Sequence, residues 1–180
     1  MHVTTRIVAV EALLLVAVGV AHALGIHLLE GLPRTGLLLA HIAGVVLFLG
    51  NVMVGALLLG MTDARGDVHL LRFVSTFIGW ADAVFTGPGA LLLFSSGLAL
   101  AAPMGGWARA AWTFWATVSL VVSGLLWVLV LVPLQQRMIS RAEALDLAGW
   151  RRLARLYTAP GVVSLVLLIA ALVLMVVKPT

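Results

Sequence analysis

Five apolar stretches alternate with short polar segments along the chain, and each stretch is long enough to cross a bilayer. A hydrocarbon core of ~30 Å needs about 20 helical residues. Open strands would leave backbone groups unpaired in lipid, and the stretches lack the alternation of barrel strands. The pattern therefore predicts an all-α fold, a polytopic membrane helix bundle that forms a single transmembrane domain over residues 1–180. The predicted spans are residues 7–29, 36–61, 78–101, 107–132 and 158–177.

Two connections between the spans, residues 62–77 and 134–157, are polar without being rich in glycine or serine. In the second connection, apolar residues such as Met138 and Trp150 recur between five arginines. This spacing is typical of a basic amphipathic helix that lies at the lipid headgroups. An ordinary connecting helix folded onto the bundle has the same spacing. We therefore predict two amphipathic cytoplasmic connections.

The composition agrees with a membrane protein and excludes several kinds of site. The chain is 63% hydrophobic and 10% charged, whereas soluble domains are about 45–50% apolar and about 25% charged. The formal net charge of +4 is therefore interpreted as a topology and lipid signal, with the lipid bilayer as partner and no nucleic acid. The chain has no cysteine, which excludes disulfides, Fe–S clusters and thiolate metal sites.

The distribution of basic residues predicts the orientation of the bundle. Eight arginines fall on the side of the N-terminus and the two polar connections, and three basic residues fall on the other side. Because basic residues are enriched in cytoplasmic loops, the first side is predicted to be cytoplasmic. The N-terminus is then predicted on the cytoplasmic side of a bacterial inner membrane and the C-terminus on the outer side. The first set is Arg6, Arg65, Arg72, Arg137, Arg141, Arg151, Arg152 and Arg155; the second is Arg34, Arg109 and Lys178.

The first span has an alternative interpretation as a secretory signal peptide. Arg6, the apolar run after it and the small residues around His22 resemble a cleavable leader. Glu11, inside the apolar run, argues against this. Cleavage would leave four spans and remove His22.

Two histidines are predicted to lie at similar depth on the first two spans. At 1.5 Å per residue, His22 and His41 both fall about 10 Å below the outer surface. Two imidazoles in an apolar slot between helices could be the axial ligands of a b-type haem, and the outer arginines Arg34 and Arg109 could bind its propionates. His27 lies closer to the turn. In the alternative, each histidine forms an ordinary hydrogen bond near a helix end.

A second polar layer is predicted nearer the cytoplasmic side, where Glu11, Asp82, Arg72 and Arg137 fall. Asp82 is expected in the first turn of the third span, as a helix cap or in an ion pair with an arginine. The functional alternative for Asp82 is proton handling or the binding of a polar substrate. Pro88 is expected to kink the same helix.

Around His41 and beyond it, a combination of short runs is spread over about three quarters of the chain. The runs are residues 39–42, 48–51, 80–89, 96–100, 133–135, 137–138 and 175–179, together with Trp127. This combination resembles a bacterial family of predicted integral membrane proteins of unknown function. That family is grouped with the membrane domain of copper-resistance protein D and with the haem-associated bacterial protoporphyrinogen oxidase.

The resemblance implies that His41 touches haem, because it matches the position of a helix-start histidine in those relatives. It also makes Asp82, Pro88 and Arg137 features of the family without giving them a role. The first span departs from the pattern, so the resemblance does not extend to His22.

Three functional hypotheses follow. The first is a haem-b-binding protein with an electron-transfer or membrane redox role, in which His41 and His22 ligate the iron. The second is a copper or small-solute transport protein, in which His41, His27 and methionines such as Met53 or Met104 bind metal. The third is a non-catalytic accessory subunit that packs into a larger complex or a homo-oligomer.

Overall fold

The computed structural model describes residues 3–26, 28–29 and 31–179. Within them the chain forms five helices that are long and apolar enough to cross a membrane, and it forms no strand. The prediction of an all-α bundle with five spans is therefore confirmed. The helices are α1 (Val3–Ala23), α2 (Arg34–Arg65), α3 (Val68–Met104), α4 (Ala111–Glu143) and α5 (Leu147–Val177).

The outer surface of the bundle carries large apolar side chains, as lipid contact requires. Leu13, Val46, Leu57 and Leu129 are each more than 60% exposed. A soluble domain rarely exposes apolar patches of this extent. Hydrocarbon removes the cost of that exposure, so this is an integral membrane protein.

Helices α2 to α5 are longer than the apolar stretches predicted for them. They contain 31 to 37 residues, which corresponds to about 46–55 Å at 1.5 Å per residue. The hydrocarbon core is only ~30 Å thick. The spanning helices therefore continue into the headgroup region, and Pro160, close to the start of the predicted span 158–177, lies inside α5.

The two polar connections are helix continuations joined by tight turns rather than separate helices. Gly66 has φ +69° and ends α2, and the Asp67 carboxylate caps α3 by accepting the backbone N–H of His69 at 2.9 Å. At the other turn, Asp146 caps α5 by accepting the N–H of Gly149 at 2.8 Å. The residues that cap these helices shorten the connections to a few residues each.

The amphipathic character predicted for these segments is present, and its apolar face is buried. Leu71, Met138, Ala142 and Trp150 form one buried cluster that joins α3, α4 and α5. The Trp150 indole donates a hydrogen bond to the Ser75 hydroxyl at 3.0 Å. The segments therefore hold the helix ends together, and we call this the arginine-rich end of the bundle.

Helix α1 ends earlier than the predicted span. Gly25, with φ +80°, breaks the helix after Ala23, and the Ile26 N–H returns to the Ala21 carbonyl at 2.9 Å. This is the six-to-one hydrogen bond of a glycine-terminated helix. His22 therefore lies in the last turn of α1.

Helix α3 is central, because it packs against α1, α2 and α4. Its closest neighbour is α2: a Cβ added to Gly44 would lie 2.6 Å from the Leu93 backbone nitrogen and 2.8 Å from the Gly89 carbonyl. Small residues at this crossing let the two backbones touch. Helices α4 and α5 form a second closely packed pair, whereas α2 and α5 touch only sparsely.

Candidate functional site

Asp82 lies buried near the middle of α3. Its side chain is 7% exposed. The expectation of a first-turn cap is wrong, because α3 begins at Val68, about four turns before Asp82. Nor does any arginine of the described residues form a salt bridge with Asp82. Arg72 and Arg137 are both exposed.

Neutral donors from three helices surround the Asp82 carboxylate. Asn51 of α2 donates to Oδ1 at 3.0 Å, and the Thr86 hydroxyl donates to the same oxygen at 2.9 Å. Gln135 of α4 donates to Oδ2 at 2.9 Å. Trp127 is a further hydrogen-bonding neighbour. Hydrogen bonds of this kind stabilise a buried carboxylate without a counter-ion.

A second carboxyl group, Glu11 of α1, is buried beside Asp82. Glu11 is 7% exposed, and the two carboxyl groups lie close enough to interact electrostatically. Its Oε2 atom has no hydrogen-bond partner among the described residues. A Cβ on Gly87 would collide with the Glu11 carboxyl group, so the glycine makes room for it.

Each of two neighbouring helices, α3 and α4, contains a π-helical turn beside the Asp82 cluster. Residues Asp82–Thr86 of α3 and Trp127–Leu131 of α4 form i→i+5 turns, in which the Gly87 N–H bonds to the Asp82 carbonyl. Pro88 follows the first turn and Pro133 the second. Proline lacks an N–H and its ring clashes with the preceding turn, and a wider turn relieves that clash. Asp82 and Trp127 are the first residues of the two turns, and their side chains lie next to each other.

A cavity of about 320 Å³ connects this polar cluster to the arginine-rich end. It runs between α2 and α5, where the small residues Gly55, Ala56 and Gly161 leave the space between the two helices unfilled. Asp63 lies at its mouth, paired with Arg151 at 2.7 Å. Asn51 and Asp82 lie at its inner end. We call this space the Asp82 cavity.

His41 lies in the opposite half of the bundle and lines a different space. Its Nδ1 lies 3.1 Å from the Leu93 carbonyl and 3.3 Å from the Ser96 hydroxyl, and its ring packs on Gly97. A cavity of about 280 Å³, lined by apolar side chains and by Met175, adjoins it. We call this space the His41 cavity.

The other residues predicted for a cofactor site lie apart from His41. His22 lines two other spaces against α3, with Ser95 in one and Trp107 in the other, and neither includes His41. Arg34 and Arg109 are exposed and line none of these spaces. His27 lies outside the described residues. Within the described part of the chain, no group of three or more histidine or acidic side chains is arranged to hold a metal ion.

A comparison with known protein families identifies one that this chain matches. The sequence model of the family described as "Predicted integral membrane protein (DUF2269)" matches residues 35–179. The chain belongs to the DUF2269 family. No curated protein and no solved structure matches it. The DUF2269 match includes α2 to α5 and thus Asp82 and His41, whereas α1, with Glu11 and His22, precedes the matched segment.

Sequence reasoning found Asp82 but missed its partners. The runs that carry the resemblance include Asn51, Thr86, Trp127 and Gln135, and all four converge on Asp82 in the structure. One local signal was available, since Asp82 and Thr86 are four residues apart and share a helix face. The convergence of the other three depends on how α2, α3 and α4 pack.

Proposed function

We propose that this DUF2269 protein is a proton-coupled membrane transport protein, and that Asp82 and Glu11 form its proton-binding site. The observation that supports this most directly is a pair of buried carboxyl groups, without a cationic partner among the described residues, at the inner end of a cavity. Ionisable groups in a membrane are expensive and by default mark ion or proton pathways.

The chemistry of the cluster favours a proton over a metal ion. Hard cations need about six oxygen ligands, whereas the amide groups of Asn51 and Gln135 present N–H donors to Asp82. Two neighbouring carboxyl groups cannot both ionise at low cost, and they can share one proton. The unpartnered Oε2 of Glu11 is the atom that such a proton would satisfy.

Infrared spectroscopy of the purified protein in lipid tests the proton-binding site. A pH titration should reveal a carbonyl-stretch band of a protonated carboxyl group, because a buried carboxylic acid absorbs apart from the amide bands. We expect Glu11→Gln and Asp82→Asn each to remove or shift that band.

The matched control is Asp63→Asn, which removes a carboxylate at the mouth of the same cavity. We expect it to leave the band in place. A titration in which Glu11→Gln and Asp82→Asn both match the wild-type protein would overturn the proposed site.

A second candidate function is a membrane redox role with haem b bound at His41. A specific observation favours it: the Leu93 carbonyl accepts from Nδ1 and thereby leaves Nε2 as the ligand atom, which is the usual arrangement of a metal-binding histidine. Met175 lines the same cavity and offers a thioether as second ligand. A bound haem would supply one-electron chemistry.

This candidate uses His22, Arg34 and Arg109 differently from the sequence-based expectation. His22 lines other spaces, so Met175 replaces it as the second ligand, and Arg34 and Arg109, which do not line the His41 cavity, have no part in this candidate site. An absorption spectrum of protein expressed with ample haem, oxidised and then reduced, is the test. A Soret band lost in His41→Ala supports haem, and a flat spectrum rules it out.

A further inference from the structure

We infer that the Asp82 cavity binds a small organic monocation, an amphipathic ammonium compound that enters sideways from the bilayer between α2 and α5 and replaces the proton shared by Asp82 and Glu11. This inference rests on the proposed function, since it assumes that the two carboxyl groups bind a proton. It adds the chemical class of the transported substrate and its route into the site.

The inner end of the Asp82 cavity carries a carboxylate whose charge is not balanced. Asp82 lines the cavity, and the side chains that donate to it are all neutral. Within the described part of the chain it forms no salt bridge, and Glu11 adds a second carboxyl group beside it. A buried ion without a counter-ion is costly, so a ligand with one positive charge completes this site.

The charged and titratable groups around Asp82 come from the helices packed near it. Glu11 of α1 and Tyr157 of α5 lie close enough to interact with it electrostatically. Asp63 of α2 lies at the cavity mouth and is paired with Arg151 of α5 at 2.7 Å. The donors from α4 are neutral. The inner end is therefore acidic, whereas the basic side chain at the mouth already has a carboxylate partner.

The walls of the cavity suit the apolar part of such a ligand. Trp127, Trp150 and Tyr157 line the cavity together with aliphatic side chains. Aromatic rings are the side chains that recognise organic ammonium groups. The volume of about 320 Å³ lies at the lower end of the range of about 300–1,000 Å³ for small-molecule sites. The ligand is therefore small, with one charged group beside Asp82 and an apolar remainder.

The side of the cavity opens towards the lipid. Ala56 and Gly60 of α2 and Thr158 and Val162 of α5 line the cavity and are exposed on the outside of the bundle. The residues of each pair are four positions apart, so each pair lies along one face of its helix. Helices α2 and α5 touch only sparsely. An amphipathic ligand in the bilayer can therefore enter between them without passing Arg151.

The exchange of the proton for the ligand conserves the charge of the site. With one shared proton, the Asp82–Glu11 pair carries one negative charge. When the cation binds, the O–H bond of the carboxylic acid breaks and the proton leaves to water. Two carboxylates and one cation again carry one negative charge. One cation is thus exchanged for one proton, which couples the substrate to the proton.

Binding of benzyltrimethylammonium to the purified protein in lipid nanodiscs tests the site. This ion has no proton to lose, so a pH dependence of its affinity arises from the protein. We expect its dissociation constant to rise about tenfold per pH unit below the pH at which the infrared band of the protonated pair appears, because one proton competes with it. In the same pH range, each cation that binds should release about one proton.

A neutral competitor tests the charge without any substitution. Neopentylbenzene has nearly the same shape as benzyltrimethylammonium but no charge, and it should not displace the cation from the wild-type protein. Asp82→Asn should raise the dissociation constant of the cation by at least about tenfold. Glu143→Gln is the matched control, because it removes a carboxylate that is exposed at the end of α4.

The route of entry is tested at the opening itself. Ala56→Trp places a large side chain at the edge of the opening and should slow the association of the cation by about tenfold, as a barrier raised by about 1.4 kcal/mol would. Leu57→Trp is the matched control, because Leu57 is 63% exposed and does not line the cavity. Equal association rates in the two variants would overturn entry from the bilayer.

The outcomes separate this inference from the proposed function. Displacement of the cation by neopentylbenzene, or equal affinities of the wild-type protein and Asp82→Asn at high pH, would mean that the cavity accepts hydrocarbon in general, such as a lipid acyl chain. Either result overturns the cation site even if the infrared band of Glu11 and Asp82 is present. Absence of that band in the wild-type protein overturns the proposed function instead.

Discussion

The two halves of the bundle treat their buried polar groups in different ways. Towards the arginine-rich end, Asp82 is held by side chains from three helices, and Glu11 comes from a fourth. In the opposite half, the ring of His41 is held by one carbonyl and one hydroxyl of α3 and otherwise faces an apolar space.

The difference indicates which half of the bundle is held in one arrangement by hydrogen bonds and which half has space beside a polar side chain. A buried network with every donor placed specifies one arrangement of helices. A single polar side chain beside an apolar cavity instead leaves a ligand atom available. The hydrogen bonds of the Asp82 cluster therefore hold α2, α3 and α4 together, whereas the His41 ring borders an apolar space.

The largest effect is expected where the two halves are joined, at the α2–α3 crossing. Gly44→Ala places a Cβ against the backbone of Leu93 and Gly89, which must then move apart. We expect a loss of about 3 kcal/mol or more, measured by unfolding of the detergent-solubilised protein. Gly50→Ala is the control, because nothing lies within 4 Å of its added Cβ. Equal stability of the two variants would contradict close backbone contact.

A smaller effect should separate the two polar groups themselves. Asp82→Ala leaves the donors of Thr86 and Gln135 without their acceptor, and leaves Asn51 with the Thr86 hydroxyl alone, at a cost of about 2 kcal/mol. His41→Ala removes weaker contacts to Leu93 and should cost about 1 kcal/mol. The same unfolding measurement compares them. If His41→Ala proved the more damaging, the comparison between the halves would have to be reversed.

The smallest effect concerns the turn that closes the arginine-rich end. The Gly149 N–H and Arg141 lower the pKa of the Asp146 carboxyl group below its ordinary 3.8. A lowered pKa means that Asp146 stabilises the fold above its ordinary pKa, and that this contribution disappears as the pH falls through the lowered value.

Asp146→Asn should therefore lower the melting temperature slightly at neutral pH and remove part of the decline in acid. Arg141→Gln, which keeps the capping carboxylate, should retain most of that decline. A decline of unchanged size in Asp146→Asn would show that it arises elsewhere.

The sequence predicted the number and type of spans well, since each apolar stretch is a local property of the chain. It predicted the polar connections less well. Gly66, Asp67 and Asp146 are helix caps because the spanning helices extend past their apolar stretches, and the apolar pattern does not show that extension. It identified Asp82 and His41 as candidates but paired His41 with His22, on the assumption that the first two helices are neighbours. The structure interposes α3, so Ser95 faces the His22 side and Gly97 the His41 side.

The π turn at Asp82–Thr86 restricts where residues can be inserted into this chain or deleted from it. Such a turn amounts to one residue inserted into an α-helix, and deleting that residue would rotate the rest of α3 by about 100°. Gly89, Leu93 and Gly97 would then leave the face that meets α2, while Asp82 kept its place. The number of residues between Asp82 and the His41 contact is thereby fixed: insertions and deletions are tolerable in the loops, but not along this stretch of helix.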